Sequence, residues 1–196
     1  MPIHKREPYF FPEGLLENPD PLQLWYVIQT KSRQEKALAR RLREESIPHY
    51  LPQYEKQIRR ADRSFRSYLP LFPGYVFLRG TPRERLFALR TDCALRVLAV
   101  GDQGGLQAEL VSVQKLLQSG RPIIPLRYVA VGDRVRIVSG SLRDVEGIVL
   151  REKGALRLVV SVRFISASVA VEVDRACVDR SSATRYREAM LREAAS

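Results

Sequence analysis

The sequence predicts an α+β chain, a ferredoxin-like α/β sandwich followed by a small β-barrel. Three observations predict it. Over residues 22–120 strand-like and helix-like apolar runs follow one another in the order βαβββαβα, the order expected of helices packed on one antiparallel sheet. From Val129 onward the helical period gives way to β-forming runs with turn residues at short spacing, as in small barrels. A Pro-containing stretch at residues 121–128 separates the two regions.

Residues 1–21 contain Pro2, Pro8, Pro12, Pro19 and Pro21 and read as an irregular or disordered arm. The run from Leu24 to Thr30 is β-rich. Ser32-Arg33-Gln34-Glu35 has capping-box spacing and opens a helix. In that helix Ala37, Leu38 and Leu42 share a face while Arg40, Arg41 and Arg43 occupy others, and it should end before Pro48. Residues 50–60 and 65–69 read as two strands bracketing a basic hairpin tip, Arg59-Arg60-Ala61-Asp62-Arg63-Ser64.

The most informative stretch is Pro70-Leu71-Phe72-Pro73-Gly74-Tyr75-Val76-Phe77-Leu78. Pro73 fixes φ and Gly74 permits positive φ, so the chain must turn between two apolar aromatic runs. Tyr75 to Leu78 lack clean alternation, which suits a strand buried on both faces. Thr81 is placed as the N-cap of a second helix with Pro82 at its first position. A strand follows over residues 95–100. Gly101-Asp102-Gln103-Gly104-Gly105 lacks the spacing of a phosphate-binding loop and is expected to be a flexible loop. Leu106, Leu110, Val113 and Leu117 then recur at helical spacing, with Gly120 as a natural stop.

The expected organisation is an arm over residues 1–21, a first domain over 22–120, a linker over 121–128, a barrel over 129–179 and a tail over 180–196. Barrel strands are expected at residues 133–138, 146–152, 156–164 and 168–174, and Thr184 to Ala195 has an amphipathic helical pattern. A helical form of residues 129–178 is disfavoured. Val159, Val160, Val162, Val169, Val171 and Val173 are β-branched, and Gly132, Gly140, Gly147 and Gly154 would each cost about 1 kcal/mol inside a helix.

Composition narrows the function. The chain is 45% hydrophobic and 28% charged, ordinary for a soluble globular protein. No apolar run approaches the roughly 18 residues of a membrane span, and no signal-peptide core is evident at the N-terminus, so a cytoplasmic protein without membrane contact is expected. Cys93 and Cys177 have no CxxC spacing, which argues against a metal site. No catalytic triad or paired-carboxylate pattern appears, His4 and His49 are isolated, and nothing in sequence activates Cys93 as a nucleophile. No enzyme activity and no cofactor are therefore expected. The net charge is +11, and residues 31–90 hold 15 Lys/Arg against 6 Asp/Glu. A basic first domain favours a polyanionic neighbour such as nucleic acid.

Trp25-Tyr26-Val27-Ile28-Gln29-Thr30 and Phe72-Pro73-Gly74-Tyr75, together with Gly132-Asp133, Gly140-Ser141-Leu142, Val145-Glu146-Gly147-Ile148-Val149 and Val171-Glu172-Val173 downstream, resemble the NusG family of transcription elongation and antitermination factors. The resemblance covers about residues 24–178. It implies an NGN domain and a KOW domain of SH3-like barrel fold. In that family the first domain docks an apolar patch on the clamp helices of the largest RNA polymerase subunit. Here the matching positions are Tyr26, Phe72, Pro73, Tyr75 and Phe77. The basic hairpin, with Arg59, Arg60, Arg63 and Arg66, would lie near nucleic acid. The family's KOW domain recruits termination factor Rho or a ribosomal protein, and the matching apolar positions are Phe164 and Ile165. The chain departs from the family pattern in having Cys93-Ala94 and Phe164-Ile165-Ser166-Ala167 where Pro-Gly and apolar-Gly-Arg are usual. With the proline-rich arm, these departures point to a specialised paralogue, expected to be a monomer. The alternative is an RNA-binding or ribosome-associated KOW protein in which the aromatics stack bases.

Overall fold

The protein is described by a computed structural model over residues 8–17, 20–60, 63–127, 133–152 and 154–179, with side chains described outside 58–65, 127, 133 and 152. The chain divides into two compact units, residues 1–107 and 108–196. The expected helical tail, residues 61–62 of the hairpin tip and Gly132 lie outside the described residues.

The first unit is built on a five-stranded antiparallel sheet. Its strands are β1 (Phe10–Phe11), β2 (Leu24–Thr30), β3 (His49–Tyr50), β6 (Tyr75–Gly80) and β7 (Ala94–Ala99), in the order β1-β3-β6-β2-β7. Helix α1 (Glu35–Glu44) joins β2 to β3, and helix α2 (Pro82–Arg90) joins β6 to β7. Each helix thus connects two strands that are separated by a third. The two split β-α-β units interlock, which is the expected ferredoxin-like arrangement. Both helices cover one face. Leu38, Ala39 and Leu42 of α1 and Ala88 of α2 share a buried cluster with Tyr26, Ile28, Val76, Leu78 and Cys93. The remaining strands, β4 (Gln53–Arg60) and β5 (Arg63–Pro70), form a separate two-stranded ribbon with Arg60 opposite Arg63.

Several local expectations change. α1 has no side-chain cap, and its N-cap position is Gln34. Glu35 does not reach back to close a capping box; its carboxylate accepts the amide of Gly74 at 2.7 Å. Tyr50 does not belong to the ribbon but to β3, paired with Phe10 and Phe77. Part of the expected irregular arm is ordered on the sheet: Phe10 and Phe11 form a strand on β3, and Leu15 and Leu16 are buried. Gln103-Gly104-Gly105 is not a loop but the first turn of helix α3 (Gln103–Gln118). Asp102 accepts the Gly105 amide at 2.8 Å, a cap that offsets the cost of the two glycines. α2, in contrast, carries the expected cap: Thr81 accepts from Arg83 at 3.2 Å and Glu84 accepts from the Thr81 amide at 2.8 Å.

The second unit holds a six-stranded antiparallel sheet. Its strands are β8 (Ile124–Arg127), β9 (Asp133–Ile137), β10 (Glu146–Glu152), β11 (Ala155–Val162), β12 (Ala167–Glu172) and β13 (Val178–Asp179), in the order β13-β9-β10-β11-β12-β8. Residues 124–127 of the expected linker are therefore an edge strand, with Pro125 opposite Val169. No pairing joins β13 to β8 among the described residues, so the sheet is open where a closed barrel was expected. Val135, Ile137, Leu158, Val160, Val162, Val169 and Val171 are buried. They lie on one face by their register. Ile148, Val159 and Ala170 form a second cluster on the other, with Ile124, Leu126 and Leu150 packed against it.

Candidate functional site

The face of the first sheet turned away from α1 and α2 carries an aromatic row. Register sets Phe10 opposite Tyr50, Tyr50 opposite Phe77, Phe77 opposite Val27 and Val27 opposite Leu98. Because side chains alternate along a strand, these residues share a face, as do Tyr75 and Arg79 on β6. The rings touch in sequence: Phe10 to Tyr50 at 6.3 Å, Tyr50 to Phe77 at 6.2 Å, and Phe72 edge-on to Phe77 at 6.1 Å. Burial drives the Tyr50 phenol well above its ordinary pKa, with nearby Tyr9 adding to the shift.

The turn that presents Phe72 and Tyr75 is fixed from both sides. Gly74 adopts φ 85°, a left-handed conformation that glycine supplies without steric cost. Its amide donates to Glu35, and its carbonyl accepts from the Thr30 amide at 2.8 Å. Tyr75 donates its amide to Phe72 at 3.1 Å, which closes the turn around Pro73-Gly74. Pro73 is exposed and Tyr75 half-buried, whereas Phe72 and Phe77 are buried. Of the sequence-predicted residues, Phe72, Pro73, Tyr75 and Phe77 are thus brought together. Tyr26 is not, because it faces the helices and packs inside their core.

A polar network borders this row. Trp25 donates its indole N–H to Gln107 at 2.7 Å, and Arg79 lies over the Trp25 ring at 5.3 Å. The Gln103 amide accepts from the Trp25 N–H at 2.7 Å and donates to the Trp25 carbonyl at 3.1 Å. It satisfies both backbone groups as a neighbouring strand would. Arg79 donates to the Asp20 carbonyl at 2.9 Å and Gln107 to the Leu16 carbonyl at 2.6 Å. Burial lowers the Arg79 pKa from its ordinary value, with Asp20 opposing the shift. Sequence reasoning missed Trp25, Arg79, Tyr50 and Phe10 as members of this face. The available signal was the two-residue spacing of Trp25 from Val27 and of Phe77 from Arg79.

The other predicted positions lie elsewhere. Arg66 is exposed in the ribbon, its guanidinium 3.6 Å from Glu55. Arg59, Arg60 and Arg63 have their backbones in β4 and β5, and their side chains lie outside the described residues. In the second unit, Phe164 and Ile165 sit in a single 3-10 turn between β11 and β12, closed by Ser166 at φ 50°. Phe164 is 40% exposed and Ile165 8%. The turn is anchored by Arg163, whose guanidinium meets Glu109 at 2.5 Å and whose amide donates to it at 3.2 Å. Cys93 is buried in the helix-side core, its thiol 3.7 Å from the Gln34 side-chain oxygen. Among the described residues, no helix is long and apolar enough to cross a membrane.

Residues 23–117 match the family model described as "Transcription termination factor nusG". A comparison with curated proteins gives no match. Among solved structures, NusG of Thermotoga maritima, from work titled "Domain interaction in Thermotoga maritima NusG", is similar at 19% identity. That likeness covers 81% of this chain and 97% of the other, with a TM-score of 0.44.

Proposed function

We propose that this chain is a transcription elongation or antitermination factor that binds RNA polymerase, and that it is not an enzyme. The observation that carries this reading is the match of residues 23–117 to the NusG family model, which takes in β2 to β7, both covering helices and the Phe72-Pro73-Gly74-Tyr75 turn. In this reading the first domain docks on the clamp helices of the largest polymerase subunit, using the surface around that turn. Pro73 and Tyr75 are its accessible members, and Phe72 and Phe77 shape it from beneath. Aromatic anchors with a rigid, water-poor surround are favoured hot spots in helix-binding surfaces.

The second unit is read as the KOW domain. Phe164, exposed on its anchored turn with Ile165 behind it, would meet Rho or a ribosomal protein. The basic ribbon around Arg66 would lie near the nucleic acid, and the departures in residues 93–94 and 164–167 support a specialised member of the family.

The test is a titration of purified RNA polymerase with the wild-type chain and with Tyr75→Ala. The expected loss is about 2 kcal/mol, roughly 30-fold in affinity. An unchanged affinity with the sheet still folded removes the turn as the docking site. Recovery of ribosomal RNA in place of polymerase from a lysate supports the RNA-binding alternative.

A further inference from the structure

The aromatic row on the far face of the first sheet does not close within the region that matches the family model. Its outermost ring is Phe10, and the matched region begins at residue 23. Residues 8–17 bring two buried leucines, Leu15 and Leu16, onto the same unit. They are held by a strand of only two residues, by the Tyr9 carbonyl accepting from Leu51 at 2.6 Å, and by the Gln107 contact to the Leu16 carbonyl. Asp20 is held by Arg79 in the same way. The segment therefore presents main-chain carbonyls to side-chain donors that also hold Trp25, and the Phe10 ring to the end of the aromatic row. A docking amphipathic helix would supply the apolar contact from its buried face, and polar side chains on its flank can accept from Arg79 and Gln107 in place of the strap's carbonyls. Segments tied down by few backbone hydrogen bonds open locally at low cost.

We infer that residues 8–17, with Asp20, form a displaceable strap that occupies the far face of the first unit and competes for it with the polymerase helices. The inference rests on the reading of that face as the polymerase-binding surface. When the strap leaves, Phe10 uncovers Tyr50, and Arg79 and Gln107 exchange the strap's carbonyls for acceptors on the incoming partner. The strap thereby lowers apparent affinity by the fraction of molecules in which it is seated.

The test is a titration of purified RNA polymerase with the full chain and with the chain lacking residues 1–21. The truncated form is expected to bind roughly tenfold tighter. Equal affinity overturns the strap and leaves the polymerase reading standing. Weaker binding with an unchanged circular dichroism spectrum also overturns the strap and makes the segment part of the docking site. Binding by neither form overturns both. A second measurement needs no truncation: amide hydrogen exchange of the full chain, free and with polymerase. Amides of Phe10, Phe11 and Leu15 are expected to lose protection in the complex, and retained protection there overturns the strap.

Discussion

Glu35 and Gly74 are joined by a hydrogen bond of 2.7 Å between a helix-terminal carboxylate and the amide of the turn glycine. The contact links the start of α1 to the turn that carries Phe72 and Tyr75, and Glu35 is buried. Hydrogen bonds to a charged acceptor contribute about 1.5–3 kcal/mol. Glu35→Ala is expected to cost about 2 kcal/mol, and Glu35→Gln, which keeps an acceptor, distinctly less. Urea denaturation of the two variants checks this; equal losses would show that the carboxylate serves only as packing. Gly74→Ala should cost about 1–2 kcal/mol through its positive φ, since a Cβ there meets nothing within 4 Å.

His49 gives the fold a pH dependence of predictable sign. It is fully buried in β3, with Nδ1 2.9 Å from the Ile47 carbonyl and, among the described residues, no hydrogen-bond partner for Nε2. Burial is the largest influence on its pKa and Arg43 a smaller one in the same direction; the Ile47 contact opposes them, and the pKa falls from 6.5 to about 4. The unfolded chain therefore binds more protons than the folded one between those values. Stability is unaffected by this group above pH 6.5 and declines as pH falls toward 4, by about 3 kcal/mol in all. Comparing urea midpoints of wild type and His49→Phe from pH 7 to pH 4 isolates the effect. Parallel curves for the two proteins would refute it.

Gly147 leaves no room for a side chain. A Cβ at that position would meet the Val159 carbonyl oxygen at 2.4 Å, a backbone atom of the neighbouring strand. Gly147→Ala is expected to push β10 and β11 apart at about 2 kcal/mol, within the usual range for overpacking. The neighbouring Gly140→Ala meets no atom within 4 Å but has φ 81°, so its cost is conformational instead. A thermal melt of Gly147→Ala matching wild type would show that the strands adjust freely.

The α2 cap predicts a titration shift. The Thr81 hydroxyl donates to Glu84, which is the first cause of the lowered Glu84 pKa. In Thr81→Ala the Glu84 carboxyl should titrate closer to an ordinary glutamate, and the helix should lose about 1 kcal/mol. The direction of the shift means that the cap contributes above the ordinary glutamate pKa and fades as pH falls through the lowered one. Carboxyl NMR of both proteins across pH 2–6 decides it, and coincident Glu84 curves would exclude the capping contact.

The sequence was legible where its signals are local. Thr81, Pro82 and Glu84 lie within one turn and produce the cap their spacing predicts. Pro73-Gly74 turns where it must, and the valines between 159 and 171 lie in strands. It was not legible where a distant group takes over a local role. Glu35 has a capping-box spacing but is drawn to Gly74, 39 residues away. Phe10 and Phe11 stand among prolines, and only the edge of β3 makes them a strand. The same holds for the aromatic face. Tyr26 and Trp25 are adjacent, and which of them shares a face with Phe77 depends on the register of β2 against β6, which neighbouring residue types alone do not fix.

Pro125 gives the second sheet a property beyond its own stability. It sits in β8, the edge strand, and contributes no amide hydrogen to a ladder. The opposite edge is the two-residue β13. A second chain adding alongside β8 would find an interrupted row of donors, and alongside β13 almost no length to pair with. Such edges disfavour edge-to-edge addition of a second chain, so among the described residues neither border of this valine-rich sheet offers a long uninterrupted row of backbone donors.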